Sequence, residues 1–177
     1  MSLRRFLGLD HTARLDGRQT DAASVRQIVE ALDRMEPGAA RHLARFAYIL
    51  GRVARADLAI SADEVRAMER LVTERGRLPE AQAVVVVQIA KTQNLLFGET
   101  DGYLVTREFA AAATRDEKLA LLDCCFAVAA ADDEISPSEE AELRMITSEI
   151  GLDHDDFIKA RSAHRQAVPL LKSDDRG

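Results

Sequence analysis

Ala131-Asp132-Asp133-Glu134-Ile135-Ser136-Pro137-Ser138-Glu139 decides how the chain is read, because an earlier stretch repeats its key positions. Ala56-Asp57-Leu58-Ala59-Ile60-Ser61-Ala62-Asp63-Glu64 shares Ala56/Ala131, Asp57/Asp132, Ile60/Ile135, Ser61/Ser136 and Glu64/Glu139. The offset is a constant 75 residues, and it continues to Ala54/Ala129, Met68/Leu143, Leu71/Ile146 and Gly76/Gly151. One offset shared over so many positions marks an internal duplication.

Working outward from the two loops, each is flanked by runs of helical periodicity. Before the first loop, the pattern predicts a helix from Asp21 to about Met35 carrying Val25, Ile28, Val29 and Leu32. Pro37-Gly38 breaks it, and a second helix follows from about Ala39 to Ala56, with Leu43, Phe46, Ala47, Leu50 and Ala54 on one stripe. Ser61 and Glu64 have the spacing of a capping box, in which each satisfies a backbone N–H of the other. They open a third helix through Val65, Met68, Leu71 and Val72, which Gly76 should end as the residue beyond the cap. Pro79 suits a first helical position and starts a fourth helix to about Leu96.

Gly98 to Gly102 is expected to divide the repeats. Beyond it come a short helix, Tyr103 to Ala113, and a second capping box, Thr114 with Glu117. That box opens the helix of Leu119, Leu122, Cys125, Phe126 and Ala129. Ser136, Pro137 and Glu139 form the clearest helix start in the chain. Gly151 should end that helix, and Asp153 with Asp156 caps the last one, through Phe157 and Ile158 to about Ala167.

Val84 to Val87 favours a strand locally, but so short an apolar run has no decisive period. Its counterpart in the repeat, Lys159 to Ser162, lies in a polar helical segment, so the valines read as a buried helix. The expectation is an all-α fold of about eight helices in two pseudo-symmetric four-helix halves, 21–97 and 98–168. A basic and apolar segment, 1–20, precedes this 21–168 domain, and a mobile tail, 169–177, follows it.

Low aromatic content and the absence of Trp fit close-packed helices better than a sandwich or barrel. A formal net charge of -6 argues against general nucleic-acid binding. The charge is uneven. Residues 1–55 hold ten basic and six acidic side chains, and residues 131–160 hold two and ten. Such asymmetry marks either a partner or cation surface or solvated helix faces. Arg41, Arg45, Arg52 and Arg55 fall along one edge of a helix, suited to an anion, an acidic partner or simple surface exposure. The basic opening segment is short enough for no more than peripheral membrane contact. With no leader pattern and no long apolar run, the chain is expected to be soluble and cytoplasmic.

Catalytic signatures are missing from the pattern: there is no phosphate loop, no GxSxG, and no HExxH. Cys124 and Cys125 are adjacent, about 100° apart on a helix, and read as buried apolar residues. The acidic loops carry the chemistry that is there. Asp57, Glu64, Asp132 and Glu139 offer hard oxygen ligands for a divalent metal ion, with Asp63, Asp133, Glu134 and Glu140 as further candidates. His154 sits among Asp153, Asp155 and Asp156, as a mixed ligand group or a solvated helix start. The EF-hand pattern is not met: from Asp132 the sixth and twelfth positions are Pro137 and Leu143, and from Asp57 they are Ala62 and Met68. The same loops are fully explained as helix caps whose aspartates neutralise helix N-termini, the reading favoured over a metal site.

The repeated stretch resembles the TerB-like, tellurite-resistance protein B, family, whose motif is similar to Ala-Asp-Gly-x-Ile-x-x-x-Glu between two helices. Ala131 to Glu139, preceded by Arg115-Asp116-Glu117-Lys118, carries it once and Ala56 to Glu64 carries it again. The resemblance covers about Phe46 to Ile158. It implies an all-helical, two-part, non-enzymatic cytoplasmic protein of the tellurite or chemical stress response. It also implies metal binding through Asp57, Glu64, Asp132 and Glu139. The family glycine is Leu58 in the first loop and Asp133 in the second, so the first loop is expected to bend differently. A protein–protein adaptor or membrane-adjacent scaffold, with the loops as caps alone, is the alternative.

Overall fold

The structure, a computed structural model, describes residues 19–53, 62–91, 102–132 and 135–164; at 19–25, 62–64, 91, 102 and 132 it describes the backbone alone. Among the described residues there are eight α-helices and no strand. They are α1 (Gln19–Asp33), α2 (Pro37–Val53), α3 (Ala62–Gly76), α4 (Glu80–Lys91), α5 (Gly102–Ala112), α6 (Arg115–Ala129), α7 (Pro137–Glu149) and α8 (His154–Ala163). A single 3₁₀ turn, Ala130–Asp132, extends α6. The expected all-α class is what the chain adopts. The starts of α3 and α7, Ala62 and Pro137, keep the offset of 75.

Two helices form the centre. α2 buries Leu43, Phe46, Ala47, Ile49, Leu50 and Val53 and packs on α4, α5, α6 and α7. α6 buries Leu121, Leu122, Cys124, Cys125 and Phe126 and packs on α3, α7 and α8. The valine run is helical: Val86 and Val87 are buried in α4, because tertiary burial overrides the local β preference of a branched side chain. One continuous core joins α1 through α8, from Ile28 and Leu32 to Leu152 and Phe157.

Boundaries differ where caps were misread. α1 begins at Gln19, two residues before Asp21. Pro37 opens α2 instead of only ending α1, because its fixed φ suits a first turn and Glu36 Oε2 accepts a hydrogen bond from the Ala39 N–H (2.9 Å). Pro79 stands just before α4, its carbonyl accepting from the N–H groups of Gln82 and Ala83. α8 ends at Ala163, short of the expected Ala167, whereas α4 is described as far as Lys91 and its expected extension to Leu96 lies outside the described residues. The tail after 168, the opening segment and the expected divide at Gly98 lie outside the described residues.

The glycines Gly76 and Gly151 correspond in the repeat but do different work. Gly151 has φ 74° and ends α7 as expected, while its N–H donates to the Ser148 carbonyl (3.1 Å). Gly76 is instead the last helical residue of α3, and Arg77 takes the left-handed conformation at φ 54°. A Cβ on Gly76 would stand 3.1 Å from Phe46 Cζ, a tight contact, so glycine there eases the close approach of α3 to α2. Arg77 bears a left-handed cost of about 1–2 kcal/mol.

Candidate functional site

The second acidic loop is built from both ends. α6 finishes with the Ala130 N–H donating to the Phe126 and Val128 carbonyls, and one 3₁₀ turn then delivers the backbone of Asp132. After residues 133–134, which lie outside the described residues, Ile135 is buried at 1 % exposure and pins the loop to the core. Ser136 then adopts extended backbone angles and starts α7. Its Oγ accepts from the Glu139 N–H (3.3 Å), and its own N–H donates to Glu139 Oε2 (2.8 Å). Ser136 Oγ also donates to the same oxygen at 2.6 Å. The capping box read from the sequence is therefore complete, and it uses Glu139 Oε2 alone. The boxes at Thr114/Glu117 and Asp153/Asp156 are complete as well.

Of the four predicted ligands, the structure thus places the side chain of Glu139. Asp57 lies outside the described residues, and Glu64 and Asp132 are described by their backbone alone. Of the further candidates, Glu140 is engaged elsewhere, accepting from Arg144 (2.7 Å) and Arg161 (3.3 Å). Burial pushes its carboxyl up, but those two guanidinium groups outweigh it and hold the pKa below the ordinary value. Asp63, Asp133 and Glu134 have no described side chain. His154 is exposed and stacks on Phe157 (6.4 Å between centroids), while Asp153 and Asp156 close a cap, so they do not converge as a ligand group. Among the described residues no group of three His, Cys, Asp or Glu stands ready to hold a metal ion.

The arginine edge of α2 turns inward. Arg52, 8 % exposed, donates from Nε to Glu142 (2.7 Å) and from one terminal nitrogen to Glu149 (2.6 Å) and Thr106 Oγ1 (3.0 Å). Burial alone would lower its pKa, but the Glu149 and Glu142 carboxylates reverse this and raise it. Arg45 pairs with Glu108 at 2.7 Å. Part of the charge asymmetry therefore meets within the fold: Arg52 of the basic early stretch holds Glu142 and Glu149 of the acidic later one. The sequence offers no spacing signal for pairs so distant, and Glu142 and Glu149 were not singled out in it.

Cys124 and Cys125 are buried and free, as expected. Burial pushes the Cys124 thiol up to about 12 and Cys125 well above its ordinary range, so neither presents a thiolate nucleophile. Among the described residues no helix is long and apolar enough to cross a membrane.

Compared with known proteins, residues 43–162 match the family model described as "Tellurite resistance protein TerB". No curated protein and no solved structure matches the chain.

Proposed function

The chain belongs to the TerB family, and from that premise we propose that it is a non-catalytic binding protein of the tellurite or chemical stress response. In this reading its acidic loops take up a divalent cation. The observation that carries the proposal is the division of labour within Glu139. Capping α7 takes Oε2, which leaves Oε1 for a hard cation beside the loop that Asp132 enters. The remaining ligands would be Asp132 together with Asp57 and Glu64 from the first loop, completed by water. A bound ion would neutralise carboxylates gathered at two helix starts and tie the halves together.

A second reading is an adaptor, either docking a protein partner or lying near a membrane, in which the loops serve as caps alone. The Ser136/Glu139 box, complete as a helix cap, favours it. A thermal melt of chelated protein, with and without millimolar Ca²⁺, Mg²⁺, Mn²⁺ or Zn²⁺, separates the two. An ion at a hundredfold over its Kd adds about 2.7 kcal/mol and raises the midpoint. The cation reading expects a selective rise that Asp132→Asn abolishes; a flat response to every ion sinks it and leaves the adaptor.

A further inference from the structure

An unassigned groove lies away from the acidic loops. With a volume of about 600 Å³, it opens between the first half of α2, the α3–α4 link and the start of α6. That volume suits a small organic ligand. Its floor is apolar, with Leu43, Phe46, Leu78 and Ala120, and Gly76 lets the walls of α2 and α3 close tightly beneath it.

The polar groups on its walls are not equally committed. Arg45 already pairs with Glu108. Glu117 closes the cap of α6 and lies 3.7 Å from His42, whose imidazole desolvation keeps on the neutral side. Arg41 and Arg77 differ: among the described residues neither makes a hydrogen bond or ion pair, although Arg41 lies near enough to Glu36 to help hold that carboxyl ionised. Arg77 is also the one non-glycine residue among the described positions with positive φ, immediately after a glycine that could have taken that conformation. Strain at a groove wall, on a cation with no partner among the described residues, is a pattern associated with ligand sites.

We propose that this groove binds a small organic anion, its carboxylate or phosphate held by Arg41 and Arg77 and its apolar body lying over Phe46 and Leu78. Guanidinium groups recognise both kinds of anion through paired N–H donors. Gln82, at the start of α4, also lines the groove and supplies an amide donor. Asp116 and Glu117 at the α6 side repel the anionic end and so orient the ligand. This site is independent of the acidic loops.

The test is an NMR titration of the ¹⁵N-labelled full chain with phenyl phosphate and, separately, benzoate, at constant ionic strength. The expected result is saturable movement of the Gly76, Leu78 and Gln82 amides with at least one probe. Affinity should fall about tenfold or more in Arg77→Gly and in Arg41→Gln, the scale of one lost charged hydrogen bond. Arg77→Gly relieves the backbone strain, so its melting midpoint should equal or exceed wild type while binding is lost. Asp132→Asn should bind as wild type does. Response to one probe alone assigns the anion as phosphate or carboxylate. No saturable shift with either probe, or binding that survives in both arginine variants, overturns the proposal.

Discussion

Along α4, Ala83, Val86, Val87 and Ile89 are fully buried, whereas α8, its counterpart by the sequence offset, buries only Asp156 and Phe157. α4 is held by apolar contact with α2 and α3. α8 is held mostly at polar points. Asp153 caps it, and Arg115 reaches Asp156 (2.7 Å). Arg161 reaches Glu140, and His164 at its end meets Asp123 (2.9 Å). Phe157 adds ring contact with Phe126 (5.4 Å) beneath the Arg144 guanidinium (4.4 Å). Two helices that correspond by the sequence offset are therefore held by different forces. Hydrophobic burial in α4 is indifferent to protonation and weakly sensitive to salt; the contacts of α8 are neither.

The largest expected effect breaks the ion-pair tie between α2 and α7. Arg52→Met leaves Glu142 and Glu149 facing each other without their cation and should cost about 3–5 kcal/mol, read by urea denaturation. Replacing both glutamates by glutamine in that variant should recover much of the loss. Next, Ile89→Ala in α4 should cost about 2–5 kcal/mol through the cavity it leaves, with the same cost at low and high salt. Equal cost for Ile89→Ala and a surface alanine substitution would undo the contrast.

Acid sharpens it further. Hydrogen bonding from the Asp156 N–H lowers the Asp153 pKa from its ordinary 3.8, and the His164 hydrogen bond lowers Asp123 from the same value. Glu140 is lowered from 4.5. Each depressed carboxyl contributes stability that is present above its unfolded pKa and is lost as pH falls through the folded one. Hydrogen-exchange protection of α8 should thus fade below about pH 4 before that of α4. Simultaneous loss in both would mean the two helices are one cooperative unit. A smaller effect, about 1 kcal/mol, is expected for Ser136→Ala through loss of the α7 cap. The smallest, a gain of up to about 1 kcal/mol, is expected for Arg77→Gly, measured by thermal melt.

Much of this was legible because it is local. Ser136-Pro137-x-Glu139, Thr114/Glu117 and Asp153/Asp156 each close a cap within three residues, so spacing alone reports it. The offset repeat arbitrated Val84 to Val87 correctly, since the polar counterpart could hardly be a buried strand. Gly76 was misread because glycine has two uses, left-handed backbone and close approach, and only the position of Phe46 distinguishes them. Of the candidate site, the cap role of Glu139 was readable and the convergence of ligands was not, since it depends on the spatial relation of two loops 75 residues apart.

By itself the sequence determined the all-helical class, the order of the helices and most of their starts. These follow from periodicity and from side chains that bond their own backbone a turn away. Only the tertiary structure decided that Arg52 is an internal tie between α2 and α7 and not a surface cation. It also decided that α4 is core where α8 is rim, and that Arg41 and Arg77 share a groove. Those facts depend on which distant faces meet, and burial across a fold leaves no spacing in the chain from which to read it.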